Sequence, residues 1–127
     1  MIEKLVEIGI LYDFYGKMLS ERQYAAIELY YIHDLSLAEI GEELNITRQG
    51  VFDTLKRAES KLYEYESVLG LVNKFDKTNK DIGQILKITS EIYDIAKKSN
   101  NIDIQDKSQT ILKLGKKLLD NSRGVVN

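Results

Sequence analysis

The stretch SLAEIGEELNITRQGVFDTLKRA, from Ser36 to Ala58, decides the fold of this chain. It opens with the pattern of a capping box, in which Ser36 and Glu39 satisfy backbone N–H groups at the start of a helix. Asn45 suits the left-handed position that closes a helix, and Thr47 is a good cap for the helix that follows. Two helices joined by a three-residue turn predict a helix-turn-helix unit.

The apolar residues of the same stretch have the spacing that such a unit needs. Gly41 permits the two helices to approach each other closely. The residues expected to face inwards are Leu37, Ile40, Leu44, Ile46, Val51 and Leu55. This pattern is specific for the fold but less informative about function, because helix-turn-helix units also serve as protein-contact modules.

Helices are predicted on the N-terminal side of this unit as well. The apolar residues of the first segment recur at gaps of three and four, which indicates an amphipathic helix that ends near residues 16–19. A second capping box, formed by Ser20 and Gln23, starts a helix that reaches about His33. The face of the first helix consists of Leu5, Ile8, Tyr12, Tyr15 and Leu19.

One long helix is predicted from Thr47 onward for almost thirty residues, because no breaker stronger than Gly50 or Gly70 occurs there. Polar residues 76–80 suggest a turn with Thr78 as a candidate cap, and two further helices follow, separated at residues 99–101.

The predicted fold is therefore all-α. It is a helix-turn-helix domain without a wing, whose long recognition helix extends into a C-terminal helical segment. The predicted boundaries are 1–60 for the helix-turn-helix domain, 61–121 for the helical extension continuous with it, and 122–127 for a frayed tail.

The composition limits the class of protein. The 127 residues include no Pro, Trp or Cys, which favours helix, excludes disulfides and fits a reducing compartment. The first residues lack the basic start and apolar stretch of a signal peptide, and no apolar run approaches the length of a membrane span. We expect a cytoplasmic protein that does not insert into membranes.

Residues that could indicate chemistry have simpler interpretations. Glu42 and Glu43 point about 100° apart on a helix, so they form a solvated face rather than a catalytic pair. His33 is the only histidine, and without a ligand cluster around it we expect a capping or surface role. We predict no enzyme, cofactor, metal or small-molecule substrate. Core or interface positions, rather than stacking on unpaired bases, are predicted for Tyr12, Tyr15, Tyr24, Tyr30 and Tyr31.

The charge distribution weighs against strong phosphate binding by the helix-turn-helix. The formal net charge is −2. Residues 1–60 carry 11 acids and 6 bases, whereas residues 61–127 carry 9 acids and 12 bases. Domains that bind the phosphate backbone are usually basic, yet here the acidic half holds the helix-turn-helix.

The outward face of the second helix nevertheless carries candidate nucleic-acid contacts. Arg48 could pair with guanine and Gln49 with adenine, while Lys56 and Arg57 could touch phosphates. The simpler interpretation is that these bases are solvated or pair along the helix with Asp53.

A heptad pattern after the turn predicts a packing seam. The pattern also includes Val51 and Ala58, and the members of the predicted seam are Leu55, Leu62, Tyr65, Leu69 and Val72. The seam can pack against the C-terminal helices of the same chain or against a second copy. We favour a homodimer, because a long apolar seam is hard to cover within so small a protein.

The chain from Leu5 to Phe75 resembles the YlxM family of small bacterial proteins, whose helix-turn-helix is similar to region four of sigma factors. Gly50 stands where that family usually has Ala, and Phe52 where it often has Tyr. The C-terminal part matches only as a helical, Lys-rich extension. The most specific parts are Tyr12-Asp13-Phe14-Tyr15, Leu29-Tyr30-Tyr31, and Asp34-Leu35-Ser36-Leu37 leading to Thr47-Arg48-Gln49.

This resemblance implies a cytosolic protein encoded beside components of the signal recognition particle, with an accessory or regulatory role in that targeting pathway. It would contact the particle's protein or RNA. The alternatives are a transcriptional regulator that reads DNA with Arg48 and Gln49, and a dimeric adaptor that binds only protein. Any RNA-facing surface is expected from Lys74, Lys77, Lys80, Lys87, Lys97, Lys98, Lys113, Lys116, Lys117 and Arg123.

Overall fold

In a computed structural model of this chain, all the regular structure of the described residues is helical. This confirms the all-α prediction. The structure describes the backbone of residues 2–124 and the side chains of residues 2–121. A 3-10 turn (Gly16–Met18) follows the first helix, and a π-helical turn (Glu28–Ile32) continues the second. The helices are α1 (Ile2–Tyr15), α2 (Glu21–Ile27), α3 (Leu37–Leu44), α4 (Arg48–Leu69), α5 (Leu71–Lys98) and α6 (Ile102–Gly124).

The chain divides into two compact units, Met1–Val72 and Asn73–Asn127. The first unit is thus longer than the domain of residues 1–60 predicted from the sequence. The frayed tail is predicted at residues 122–127, but helix α6 continues to Gly124. The remaining part of that prediction, residues 125–127, lies outside the described residues.

A single apolar core closes the first unit, and each of its helices contributes one face. Tyr15 is fully buried, while Tyr12, Tyr24, Tyr30 and Tyr31 pack around the core, which confirms their prediction as core residues. The buried set is Ile8, Leu11, Tyr15, Leu19, Ala26, Ile27, Ile40, Val51, Leu55, Ala58 and Leu62.

Both predicted capping boxes are present. Ser20 Oγ accepts from the backbone N–H of Gln23, and the Gln23 side chain accepts from the backbone N–H of Ser20, both at 3.2 Å. Ser36 and Glu39 repeat this arrangement at 3.1 and 2.9 Å. The starts of α2 and α3 are therefore determined by local hydrogen bonds.

We expect Ser36→Ala to lower the free energy of unfolding by about 1 kcal/mol, the usual cost of losing a helix cap. The variant leaves the N–H of Glu39 without its side-chain acceptor. Urea denaturation followed by circular dichroism measures the change. Ser60→Ala, at an exposed position inside α4, is the matched control and should be neutral or slightly stabilising. Equal losses in the two variants would contradict the capping argument.

The long helix predicted after Thr47 is two helices. Helix α4 ends at Leu69 because Gly70 adopts the left-handed conformation, with φ 61° and ψ 27°. The Gly70 N–H donates to the carbonyl of Glu66 at 2.8 Å, and α5 begins at the next residue. Gly70 therefore ends the helix, since glycine takes this conformation with less strain than a residue that has a side chain.

The prediction of a polar turn at residues 76–80 is wrong. These residues lie inside α5, so Thr78 caps no helix. Polarity alone does not end a helix, and this segment contains neither Gly nor Pro. Asp76 and Lys80 also have the order and spacing that favour a helix. The helix end predicted at residues 99–101 is confirmed, with Asn100 at φ 56°.

In the second unit, α5 and α6 pack side by side in opposite directions. The Gln105 amide donates to the carbonyl of Ala96 at 3.4 Å, and the Gln109 amide donates to the Tyr93 hydroxyl at 3.4 Å.

None of the helices in the described part of the chain combines the length and the apolar composition that a membrane span requires.

Candidate nucleic-acid interface

Helix α3 supports the turn of the helix-turn-helix. Ile40 is fully buried and anchors α3 to the core. The next residue, Gly41, is also buried, and a Cβ added there would lie 2.7 Å from the carbonyl oxygen of Ile46. Because real Cβ atoms do not approach an oxygen so closely, this position requires glycine.

The turn has the geometry predicted from its residues. Asn45 adopts the left-handed conformation, with φ 58° and ψ 46°. The Ile46 N–H donates to the carbonyl of Gly41 at 2.9 Å, and Thr47 Oγ1 accepts from the N–H of Gly50 at 2.9 Å. This Thr47 cap starts α4, which is the recognition helix of the motif.

Helix α4 is oriented by the residues that it buries. Val51 and Leu55 are 0% and 4% exposed and lie in the core of the first unit. The opposite face is therefore directed to solvent. It carries the predicted contact residues and their neighbours, which are all exposed: Arg48, Gln49, Phe52, Asp53, Lys56 and Arg57.

Two of these side chains are held by neighbours one helical turn away. Gln49 Nε2 donates to Asp53 Oδ1 at 3.1 Å, and Lys56 Nζ lies 5.5 Å from the centroid of the Phe52 ring. The simpler interpretation holds in its solvated form, because these side chains are exposed. Among the described residues Asp53 accepts from Gln49 and Lys56 lies over an aromatic ring, rather than forming the ion pair that was its alternative form. Gln49 uses one of its two amide hydrogens on Asp53, so its other hydrogen and its oxygen stay available to a base.

The surface next to α4 is acidic. Glu39, Glu42 and Glu43 are all exposed on α3, which confirms that the adjacent pair is a solvated face. The hydrogen bond from the Ser36 backbone N–H lowers the pKa of Glu39, so this carboxylate stays ionised near neutral pH. These carboxylates repel phosphates. Of the predicted contact residues, only Arg48 is the first residue of α4.

The structure covers most of the predicted seam within the first unit. Leu55 and Leu62 are buried, and Tyr65 and Val72 pack against the core. Leu69 is 48% exposed. Because most of this seam is covered within one chain, its apolar residues give less reason to expect a second copy than the sequence alone suggests.

Two carboxylates in the first unit have roles that the sequence pattern does not reveal. Glu59 is 9% exposed, accepts from the Tyr31 hydroxyl at 2.8 Å and pairs with Lys4 Nζ at 3.0 Å. Burial, strengthened by the charge of Glu59, raises the pKa of Tyr31. One signal could have identified Glu59: it follows Ala58, a core position of the heptad pattern, and so lies beside the packed face.

Glu66 directly follows the seam residue Tyr65, as Glu59 directly follows Ala58. Its hydrogen bonds connect α1 to the start of α5. The buried hydroxyl of Tyr15 donates to the Glu66 carboxylate and accepts from the N–H of Leu71 at 3.0 Å. Glu66 also accepts from the N–H of Val72 at 3.1 Å. These bonds satisfy N–H groups that the new helix leaves without partners.

The single histidine lies at the surface, as predicted. His33 Nε2 is 3.4 Å from Glu28 Oε1, at the end of the π-helical turn. Within the described residues, no group of three or more His, Cys, Asp or Glu side chains is arranged to hold a metal ion.

The fold and the exposed start of α4 define a helix-turn-helix protein, with no wing strands in the part of the chain that the structure describes. The chain belongs to the UPF0122 family, described as "Putative helix-turn-helix protein, YlxM / p13 like", which matches residues 2–103. This match extends beyond Phe75, at which the resemblance in the sequence ends. The family description names no catalytic activity.

Several UPF0122 proteins of bacteria are similar to this chain. One from Desulforamulus reducens is 52% identical over 82 residues, which cover 65% of this chain and 70% of the relative. One from Thermoanaerobacter is 50% identical, covering 72% of this chain and 92% of the relative. One from Bacillus thuringiensis is 41% identical over 91 residues, covering 72% and 83%.

Proposed function

We propose that this protein is a non-catalytic accessory or regulatory binding protein of the signal recognition particle pathway. It acts in the cytoplasm by contacting the particle's protein or RNA. The family relationship supports this proposal, because the resemblance to YlxM proteins implies that pathway. The division of charge between the two units is the observation that supports RNA contact by the second unit.

Residues 1–72 carry 13 acids and 7 bases, whereas residues 73–127 carry 7 acids and 11 bases. Binding to a phosphate backbone needs a basic surface, so RNA contact is assigned to the second unit. Its predicted lysines are all exposed: Lys74, Lys77, Lys80, Lys87, Lys97, Lys98, Lys113, Lys116 and Lys117. Arg123, the last residue of the predicted set, lies outside the described side chains.

The second candidate is a DNA-binding transcriptional regulator. The exposed Arg48 at the start of α4 favours it, because the first residues of a recognition helix read base edges. The acidic surface of α3 opposes it, because its exposed carboxylates repel phosphates. DNA binding is therefore the alternative proposal.

A pull-down of the tagged full chain from cytosol, with and without nuclease, tests the proposed pathway. We expect the particle's protein and RNA to be recovered, and nuclease treatment shows whether RNA mediates the association. Recovery of neither component would refute the proposed function.

Charge reversal of two lysines separates the candidates. We expect Lys113→Glu/Lys116→Glu to weaken binding of labelled particle RNA at low salt by about tenfold or more, because phosphate contacts are lost. Arg48→Ala should leave RNA binding unchanged and serves as the matched control. Fluorescence anisotropy measures both. If Arg48→Ala instead abolishes binding of a labelled DNA duplex and the lysine variant does not, the regulator is the correct function.

A further inference from the structure

The second unit buries small side chains and exposes large ones. The residues buried between α5 and α6 are Thr89, Ala96, Ser108 and Gly115. A Cβ added at Gly115 would lie 2.2 Å from Leu86 Cδ2, so the two helices are in close contact there. Several large apolar side chains of this unit remain exposed, and seven of them, 43% to 68% exposed, form the set that we call the aliphatic face: Ile85, Ile88, Ile92 and Ile95 of α5, and Ile111, Leu114 and Leu118 of α6.

The aliphatic face occupies one side of the helix pair. On each helix, every residue of the aliphatic face comes one position before a residue that faces the other helix. Ile88 precedes Thr89 on α5, and Leu114 precedes Gly115 on α6. One position corresponds to a rotation of about 100°. Because α5 and α6 run in opposite directions, the same rotation turns both sets of side chains to the same side.

The other side of the helix pair is polar. Residues one position after the contact include Lys87, Asp94, Lys97, Lys113 and Lys116, all exposed. The second unit is therefore strongly amphipathic. Two helices alone cannot enclose large aliphatic side chains, whereas four helices can.

We propose that a second copy of this chain covers the aliphatic face, so that two helix pairs form a four-helix bundle. At roughly 100 Å² per half-exposed side chain, the face offers about 700 Å² per copy, close to the ~800 Å² that each partner contributes to a stable interface. A two-fold axis makes the same face serve both partners, and Ile and Leu side chains are suited to such a core.

Charges in line with the aliphatic face and beside it favour one arrangement of the two copies. On α5, Asp81 lies in line with the face and Glu91 lies beside it, and on α6, Lys107 lies in line with the face and Lys117 lies beside it. A two-fold axis parallel to the helices places α5 against the partner's α6, so acids meet bases. Each pair of charges is ten residues apart along its own helix, so both ion pairs form in one register. An axis that places α5 against the partner's α5 brings the acids together.

This interface differs from the seam between Leu55 and Val72, most of which is covered within the first unit. It also leaves the polar side of the helix pair, with Lys113 and Lys116, open to other partners. The inference goes beyond the proposed function, since it makes the protein a two-fold symmetric binder.

Sedimentation of the full chain at tens of micromolar tests the proposal. We expect a species of twice the 14.6 kDa of one chain. Ile92→Lys/Leu114→Lys should shift it to the monomer, because two charges in each copy would enter an apolar core. Val68→Lys, at a position 77% exposed in the first unit, is the matched control and should remain a dimer. A monomeric parent chain would assign the face to another partner and overturn the proposal.

Cysteine pairing tests the arrangement without disturbing the apolar core. The chain has no native cysteine, so Glu91→Cys/Lys107→Cys provides the only thiols. These positions lie on different helices of one pair, Glu91 beside the aliphatic face of α5 and Lys107 in line with that of α6, and they meet across the proposed interface. Oxidation should give a disulfide-linked dimer on a non-reducing gel, and Glu91→Cys alone should not. Linkage of the single variant, or none in the double variant, would overturn the arrangement of α5 against the partner's α6.

Discussion

Gly41→Ala is expected to lower the free energy of unfolding by about 2–3 kcal/mol, the upper part of the range of about 1–3 kcal/mol that an extra methyl group costs in a packed site. The new Cβ would lie 2.7 Å from the backbone oxygen of Ile46. A backbone atom cannot rotate away as a side chain can, so α3 and the turn must separate. The intrinsic preference of a helix for alanine over glycine offsets only about 1 kcal/mol of this loss.

Gly9→Ala provides the matched control, because a Cβ at Gly9 in α1 has no neighbour within 4 Å. This variant should raise the free energy of unfolding by about 0.5–1 kcal/mol through helix propensity alone. Urea denaturation of both variants measures two effects of opposite sign. If Gly41→Ala stabilises the protein as Gly9→Ala does, the close approach of α3 to the turn is wrong.

Tyr15→Phe is expected to lower the free energy of unfolding by about 2–3 kcal/mol, since it removes the acceptor of the Leu71 N–H and one hydrogen bond to the Glu66 carboxylate. The ring is kept, so the packing of the core should not change. The N–H of Leu71 loses its acceptor and the Glu66 carboxylate loses a donor. Tyr65→Phe, which removes an exposed hydroxyl that donates to the Met18 carbonyl at 3.2 Å, is the control and should cost well under about 1 kcal/mol. Similar losses in both variants would contradict the role of Tyr15.

The same hydroxyl should be visible in the dependence of stability on pH. Burial raises the pKa of Tyr15, and the hydrogen bond to Glu66 adds to this effect. The stabilisation is therefore complete below the pKa of an unfolded tyrosine, about 10, and is lost as the pH rises through the folded pKa. The free energy of unfolding of the parent chain should fall as the pH rises above about 10, and that of the Tyr15→Phe variant should fall less steeply. Parallel curves would show that Tyr15 does not contribute.

The helix-turn-helix could be predicted because its signals are local. Ser36 and Glu39 bond within one turn of helix, and Thr47 bonds to the N–H of Gly50. Asn45 closes α3 through its own backbone conformation. Each contact joins residues at most four positions apart, so the identities of those residues suffice to predict it. The exposure of Arg48 and its neighbours followed from the burial of Val51 and Leu55 on the opposite face.

Other features depend on partners that are distant in the sequence. Tyr15 and Glu66 are 51 positions apart, and Tyr31 and Glu59 are 28 apart. Gly70 is compatible with a continuing helix or with a helix end, and the bonds of Tyr15 and Glu66 to the following N–H groups favour the end. Residues 76–80 resemble a turn in composition, yet nothing in their backbone conformation ends α5.

The sequence by itself determined the capped starts of α2, α3 and α4 and the turn between α3 and α4, because these depend on hydrogen bonds and conformations within a few residues. Only the tertiary structure decided which apolar seam is covered. The residues Leu55 and Leu62 are buried by the first unit, whereas Ile88 and Leu114 remain exposed in the second. Both sets have the same helical spacing, and burial depends on whether another helix lies against them, which spacing cannot reveal.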